Sequence, residues 1–327
     1  MGNFVESAVL KTLAGFFGVS QVLAARLGPY YAKKCAVSIE RDIEISTWDG
    51  SSTQLDIYTP KNGVKPAQGW PVALLIHGGG FRFFSKESHA AVAAKISELG
   101  YLTIAMNYRL SPAFQFPFGL IDVLSVYEWA SREAKAYGGN FQELVLAGES
   151  AGANFALGVG LIACKLAAVP MFPEKRKTFS WVIPQKMILH CGYHQVTGVD
   201  KTRDLSGVSS MVKSRMRMIE RDYLPKADSG VETLDLSLVD PLLVLEKMVK
   251  ESEKLPAVFP EVLIPVGDAD PVLTDSVKLS KVLQKLGARE SLKVYPGAPH
   301  AFYGMSWSKH YDAIWRDIQS FLGLRAK

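Results

Sequence analysis

Ser150 draws attention first because of its setting, Gly148-Glu149-Ser150-Ala151-Gly152, with Leu144-Val145-Leu146-Ala147 before it and a small-residue run from Ala153 to Ala168 after it. An apolar β-forming run, a serine between glycines and a helix-forming stretch describe a strand, a sharp turn and a helix with the hydroxyl at the apex. Such a turn strains the backbone of its serine, and side chains on the flanking positions would collide with the adjoining strand and helix. Glycine at 148 and 152 removes them. A serine hydroxyl is inert at its free pKa. The pattern therefore carries chemistry only if the chain also supplies a base, a carboxylate to orient that base and donors for a developing oxyanion.

On a parallel sheet these groups follow in the order Ser, Asp or Glu, His, each in a loop at the carboxyl end of a strand. The run Glu261–Val266 reads as a strand and is followed by Gly267-Asp268-Ala269-Asp270-Pro271; Ser291–Tyr295 is followed by Pro296-Gly297-Ala298-Pro299-His300-Ala301-Phe302. His300 then takes the Ser150 proton as general base and returns it to the leaving alcohol as general acid. His89 falls in a helix, His190 inside a strand, His194 at the start of an irregular stretch and His310 at the opening of the last helix, all poorer places for a base. Among the carboxylates, Asp275 falls inside the next helix. Asp270 is preferred because Pro271 can open that helix and restrain the residue before it, and Asp268 stands next. Upstream, His77-Gly78-Gly79-Gly80 ends the apolar run Val72–Ile76. Its glycines bring bare backbone N–H groups up to a substrate, and the N–H of Ala151 completes an oxyanion hole. No Gly-Lys-Ser/Thr follows, as a phosphate-binding loop would require.

The elements that must position these residues are legible as alternation. Val37, Ile39, Ile43 and Ile45 lie at period-two positions, and Asp49-Gly50 offers a turn before Leu55, Ile57 and Tyr58, which predicts an antiparallel pair at a sheet edge. From Val72 onward, strands and helices alternate: helix Ser88–Leu99, strand Leu102–Met106, helix from Gly119 to Ala136, strand Leu144–Ala147, the helix after Ser150 and strand Met187–Cys191. This predicts a mainly parallel sheet with helices on both faces. The pattern lapses from Gln195 to about Leu243, where Met211, Met216 and Met218 mix with charges at helical spacing, and this predicts a helical insertion above the sheet. It resumes with helices Val272–Leu286 and about Tyr311–Leu322 around the last two strands. Residues 4–28 read as one or two amphipathic helices that pack on the protein or touch a lipid surface, packing being preferred, because Glu6, Lys11 and Arg26 interrupt an otherwise apolar stretch too often for a membrane span.

Composition narrows the class. The chain has 327 residues, 48% hydrophobic and 21% charged, as in ordinary globular proteins, and its net charge of +5 is scattered. Only Lys175-Arg176-Lys177 and the stretch Lys213–Arg217 concentrate basic residues, so nucleic-acid binding is not expected. Cys35, Cys164 and Cys191 are odd in number and lack metal-like spacing, and no Asn-x-Ser/Thr sequon occurs, which points to a reducing cytoplasm with no disulfide framework or metal centre.

With those residues in order, the chain resembles the hormone-sensitive-lipase family of α/β-hydrolase carboxylesterases. The resemblance rests on His77–Phe81, Asn107-Tyr108-Arg109-Leu110-Ser111-Pro112, Phe116-Pro117 with Asp122, Gly148–Gly152, Asp270-Pro271 and His300-Ala301-Phe302. It implies an α/β-hydrolase fold with an eight-stranded, mostly parallel sheet. A helical cap would come from about residues 1–34 and 195–243, over a catalytic core of about 35–194 and 244–327. It also implies a catalytic set of Ser150, Asp270 and His300, with Gly79, Gly80 and Ala151 as oxyanion donors, and no cofactor or metal. Three positions depart from the pattern: Glu149 where aspartate is common, Ala113 where a glutamate usually follows Ser-Pro, and Leu273-Thr274, which loosen the Asp-Pro-Leu block. Phe81, Phe83, Phe84 and Phe302 are candidates for lining the substrate pocket, as are Phe4, Phe16, Phe17, Tyr30 and Tyr31 of the cap. The expected reaction is hydrolysis of a small-molecule ester of a short to medium acid, or of an acylated metabolite, through an acyl-enzyme. An acyltransferase or cyclase of the same fold would keep the same residues, whereas a non-catalytic receptor would typically have lost one. No stable membrane insertion is expected, and a homodimer stays open as an assembly.

Overall fold

The computed structural model describes residues 25–171, 179–201, 205–225 and 234–324. Their centre is one eight-stranded sheet in the order β1-β2-β4-β3-β5-β6-β7-β8. The strands are β1 (Val37–Ser46), β2 (Ser52–Pro60), β3 (Trp70–Ile76), β4 (Leu102–Met106), β5 (Gly139–Glu149), β6 (Lys186–His190), β7 (Glu261–Gly267) and β8 (Glu290–Tyr295). β1 and β2 form the expected antiparallel edge, β2 also runs antiparallel to β4, and every pairing from β4 through β3 to β8 is parallel. The division into buried central runs and an alternating edge follows from this. β4 is buried at all five positions, while β1 alternates buried or half-buried with exposed residues along most of its length.

Helices α1 (Ala90–Glu98), α2 (Phe118–Glu133), α3 (Ala151–Ala163), α4 (Ser210–Tyr223), α5 (Pro241–Lys250), α6 (Leu273–Lys285) and α7 (Tyr311–Phe321) cover the sheet or, in the case of α4, lie over the carboxyl ends of its strands. The core divides accordingly. One buried cluster joins α2, α3, α5 and α6 to one face of the sheet, and a second joins α1 and α7 to the other. β5 is longer than the apolar run that announced it, because Gly139 and Asn140 also pair with Trp70 and Pro71 across a register shift. The insertion after β6 is helical as expected in α4. Of the amphipathic N-terminal stretch 4–28 only residues 25–28 are described, and they belong to a helical run over 25–32. Phe4, Phe16 and Phe17 lie outside the described residues, whereas Tyr30 and Tyr31 are exposed.

A buried charge cluster ties the loop after β3 to the sheet edge. Between Glu40 and Ile43 the β1–β2 register shifts, and Asp42 there adopts φ 56°. Its carboxylate lies 2.6 Å from Lys86 Nζ, which also reaches Asp56 at 2.7 Å and Glu87 at 2.6 Å, while Arg41 reaches the far oxygen of Asp56 at 3.0 Å. Lys86 is 1% exposed and Asp56 0%. Burial opposes the ammonium, but the hydrogen bonds it donates to Asp42, Asp56 and Glu87 outweigh that and hold the Lys86 pKa above its ordinary value. Removing the cation leaves Asp56 buried beside two further carboxylates. Lys86→Met should therefore cost about 3–5 kcal/mol of unfolding free energy, read as a lower denaturation midpoint in guanidinium chloride.

Candidate active site

Ser150 sits where β5 gives way to α3, with φ 53° and ψ −114°. That backbone conformation costs on the order of 1–3 kcal/mol for a residue with a side chain, and its neighbours show why it persists. A Cβ on Gly148 would stand 2.3 Å from the Gly152 carbonyl oxygen, and one on Gly152 would stand 2.1 Å from that of Ile76. Strand β5, helix α3 and strand β3 therefore approach more closely than any side chain permits. Hydrogen bonds complete the grip: Ser150 N–H donates to His190 O at 3.0 Å, and Ser150 O accepts from Ala153, Asn154 and Tyr193 N–H groups at 3.1–3.2 Å.

The loops after β7 and β8 bring the histidine and one aspartate together. His300 Nδ1 lies 2.9 Å and 2.8 Å from the two carboxylate oxygens of Asp270, whose side chain is fully buried and also accepts the Val272 N–H at 2.9 Å. Asp268 is exposed and accepts from Gly297 N–H at 2.5 Å instead. Asp275 is buried within α6 and accepts from Gln195 N–H at 3.1 Å. Of the three neighbouring aspartates, only Asp270 faces His300. Helix α6 begins at Leu273, so Pro271 precedes the helix rather than opening it. Burial disfavours the imidazolium of His300, but Cys191 and the Asp270 carboxylate raise its pKa well above the ordinary value. Burial pushes the Cys191 thiol itself up to about 12, so it is uncharged and Asp270 supplies the field.

The glycine loop closes over the serine. Gly79 takes φ 120° and Gly80 φ 59°, both in the region that favours glycine, and a Cβ on Gly79 would stand 2.0 Å from Phe83 O. Arg82 and Phe83 N–H groups donate to Gly79 O, turning the chain back on itself. Among the described residues, the N–H groups of Gly79 and Gly80 have no acceptor, and Ala151 heads α3, where a helix leaves its first N–H groups unpaired. From below, Tyr108 stacks on His77 at 4.2 Å between ring centroids and donates its hydroxyl to His77 O at 3.0 Å. The Asn107–Pro112 stretch acts as a clamp: Arg109 is held by Asp122 and Asp49, and Ser111 N–H donates to Phe81 O at 2.8 Å.

A cavity of about 350 Å³ opens on Ser150 and His300. Gly79, Gly80, Phe83, Phe84, Pro271 and Val272 line it from the core. Val212, Arg215, Met216 and Ile219, spaced to share one face of α4, line it from above. Two of the four phenylalanines expected in the pocket are elsewhere. Phe81 is 1% exposed and stacks on Tyr223 at 3.8 Å, in the core beneath α4; its φ of 60° reverses the chain there. Phe302 is fully buried between His190 and Tyr295, at 5.0 Å and 4.9 Å. Arg82, beside the loop, pairs with Asp222 at the end of α4.

Sequence reasoning left Glu149 without a partner, and the structure supplies one. His89, immediately before α1 rather than within it, places Nε2 3.4 Å from Glu149 Oε1, to which it donates, with Gly78 N at the same distance. A Cβ on Gly78 would stand 2.6 Å from that same Oε1, so the glycine is needed for the carboxylate to lie under the loop. No local spacing links residues 78, 89 and 149, and only the sheet order brings them together.

A match to the alpha/beta hydrolase fold family extends over residues 73–304. The chain belongs to that family. It is 27% identical over 266 residues to ethyl acetate hydrolase from Pseudomonas putida, spanning 81% of this chain and 76% of that protein. It is 26% identical over 229 residues to acetyl esterase from Salmonella typhi, spanning 69% and 64%. Among solved structures it superimposes on the hyperthermophilic esterase from the archaeon Pyrobaculum calidifontis with a TM-score of 0.73, at 20% identity over 98% of this chain and 96% of that one. A thermostable carboxylesterase cloned from a metagenomic library gives a TM-score of 0.71 at 21% identity, over 94% and 98%. These two structures share the fold.

Glu149 makes the electrostatics under the loop testable. Burial would raise its carboxyl, but the hydrogen bond from His89 and the fields of nearby histidines outweigh that and lower it from 4.5 to about 2. A depressed folded-state pKa stabilises above the unfolded value and is lost as pH falls through the folded one. Glu149→Gln should therefore unfold more readily than wild type at neutral pH. In thermal melts at a series of pH values, the gap should narrow from about pH 4.5 toward 2.

Proposed function

We propose that Ser150 is the nucleophile, His300 the general base and acid, and Asp270 the orienting carboxylate of a serine carboxylesterase acting on esters of short to medium acids or on a small acylated metabolite. One observation carries the reading: His300, with Nδ1 2.8 Å from the buried Asp270 carboxylate, opens into the same 350 Å³ cavity as the strained Ser150. Asp270 fixes the tautomer with the proton on Nδ1, which leaves the Nε2 lone pair to take the Ser150 proton as Oγ attacks the ester carbonyl. The oxyanion of the tetrahedral intermediate is met by the N–H groups of Gly79, Gly80 and Ala151, each worth on the order of 3 kcal/mol of transition-state stabilisation. His300 then protonates the leaving alcohol, and a water attacks the acyl-enzyme by the same route in reverse. No cofactor enters these steps. The cavity volume lies near the lower end of the range for small-molecule sites, which supports a short acyl group. The activities named for its relatives, ethyl acetate hydrolase and acetyl esterase, agree with that size. Among the described residues no helix is long and apolar enough to cross a membrane, and the three cysteines are free thiols, which supports the cytoplasm as its compartment.

A fluorophosphonate probe and a chain-length series of nitrophenyl esters test this directly. Wild type should be labelled at Ser150 and turn over the acetate and butyrate esters fastest, and Ser150→Ala should lose both label and turnover. Asp270→Asn should lower kcat by about 10⁴-fold, with Asp268→Asn close to wild type. A well-folded wild type that neither labels nor turns over any ester would sink the reading. The raised pKa of His300 also sets the pH profile. Only the neutral imidazole accepts a proton, so the acid limb of kcat/KM should have its midpoint above the ordinary 6.5 and shift toward that value in Asp270→Asn.

A further inference from the structure

Ester hydrolysis leaves one side chain beside the triad unused. Cys191 follows β6 with φ 40°, and its N–H is held by Pro265 O at 2.8 Å. Its Sγ lies 3.5 Å from Nδ1 of the buried His190 and within 4.8 Å of a ring nitrogen of His300. One ligand atom each from Cys191, Asp270 and His300 all lie within 4.8 Å of one another. Cys191 and Asp270 are buried, and the His300 side chain, 34% exposed, opens to the cavity. Thiolate, imidazole and carboxylate are the donors that Zn²⁺ and its softer congeners take. At bond lengths of about 2.0–2.3 Å a tetrahedral ion spaces its donors roughly 3–4 Å apart, so the three groups need only small movements to close on one.

We propose that Cys191, Asp270 and His300 form an inhibitory site for a thiophilic divalent cation such as Zn²⁺ or Cd²⁺, whose reversible binding switches the triad off. The inhibition rests on the catalytic reading above; the binding does not. On binding, the Cys191 thiol releases its proton to solvent and a metal–sulfur bond forms. The ion takes Nδ1, the nitrogen that faces Asp270, and one Asp270 oxygen. Starting from the neutral imidazole, the Nδ1 proton moves by way of solvent to Nε2, so that one proton is released per ion and no electron is transferred. An Nε2–H cannot accept a proton from Ser150, and the base is lost while the serine stays in place. Mg²⁺ and Ca²⁺ prefer all-oxygen sites and should leave the protein unaffected. Burial alone would make Cys191 a protonated core filler, which predicts no metal effect at all.

The test uses the full chain, first treated with a chelator, as wild type, Cys191→Ala and Cys191→Ser, with Cys35 and Cys164 kept in all three. Cd²⁺ is titrated while the ultraviolet thiolate-to-metal charge-transfer band is followed, and nitrophenyl acetate hydrolysis is measured in parallel, each protein normalised to its own metal-free rate. Wild type should gain a band saturating at one equivalent, lose activity with the same midpoint and recover it with EDTA. Both variants should lack that band and require at least about 100-fold more Cd²⁺ for inhibition, since loss of an outer-sphere partner alone costs 10–100-fold in affinity. The same band or the same inhibitory midpoint in the variants would overturn the site. A wild-type band without ester turnover supports the metal site and counts against the esterase reading; turnover without a band does the reverse.

Discussion

Everything at this site depends on how closely three pieces of backbone approach one another at Ser150. The carbonyl of Ile76 lies where a Cβ on residue 152 would be, and the carbonyl of Gly152 lies where one on residue 148 would be. Because β3, β5 and α3 meet there without side chains between them, the turn can hold Ser150 at φ 53°, and the hydroxyl stands clear at the carboxyl end of the sheet. A Cβ at either glycine would have to move a main chain, not the tip of a flexible side chain. The strain at the serine is thus balanced against the pairing of the central strands, which are among the most buried elements in the molecule. That arrangement explains why Ser150 is held on the rigid centre of the sheet while Asp270 and His300 are carried by loops.

The loops are held by charge rather than by hydrocarbon. His77–Gly80 contributes no apolar side chain, so its shape is set by what surrounds it: Glu149 and His89 beneath Gly78, Tyr108 stacked on His77, and the Lys86 cluster anchoring the segment where it leaves the site. Buried carboxylates and a buried ammonium are costly unless each finds a partner, and here Asp56 meets both Lys86 and Arg41. The same logic applies to Asp122, which accepts from the Arg109 backbone and guanidinium together. Pairs with fixed partners hold a glycine loop in one conformation, and a preorganised pair of N–H groups requires that.

Much of this was legible in the chain, and the limits of what was legible have a physical pattern. Strand positions, the helix after Ser150 and the loop positions of Asp270 and His300 followed from local periodicity and from the order of elements, which are properties of neighbouring residues. The choice between Asp268 and Asp270 was half legible: the preference for Asp270 came from Pro271 opening the helix, yet α6 begins two residues later. What the geometry does provide is a turn that buries Asp270 and leaves Asp268 exposed. The pocket lining was the least legible. Phe81, Phe83 and Phe84 are equally aromatic in sequence, but a left-handed backbone at Phe81 and another at Phe84 send the rings to different places. Cys191 lay in a strand-like run with nothing to mark it, since residues 191, 270 and 300 meet only through the β6–β7–β8 order.

Helix α4 and the glycine loop are not independent parts. A Cβ on Gly80 would stand 2.8 Å from Ile219 Cδ1 of α4, so α4 packs directly on the backbone of the glycine loop. Arg82, two residues further on, pairs with Asp222 at the end of the same helix, and Phe116 N–H and Gln115 Nε2 donate to Tyr223 O and Leu224 O. Val212, Met216 and Ile219 line the cavity, and Ile219 also packs against the backbone of Gly80. A shift of α4 that widened the cavity would also free the backbone at Gly80. The size of the cavity and the conformation of the glycine loop are thus tied to a single helix face, whereas Ser150 beneath it is fixed by the sheet.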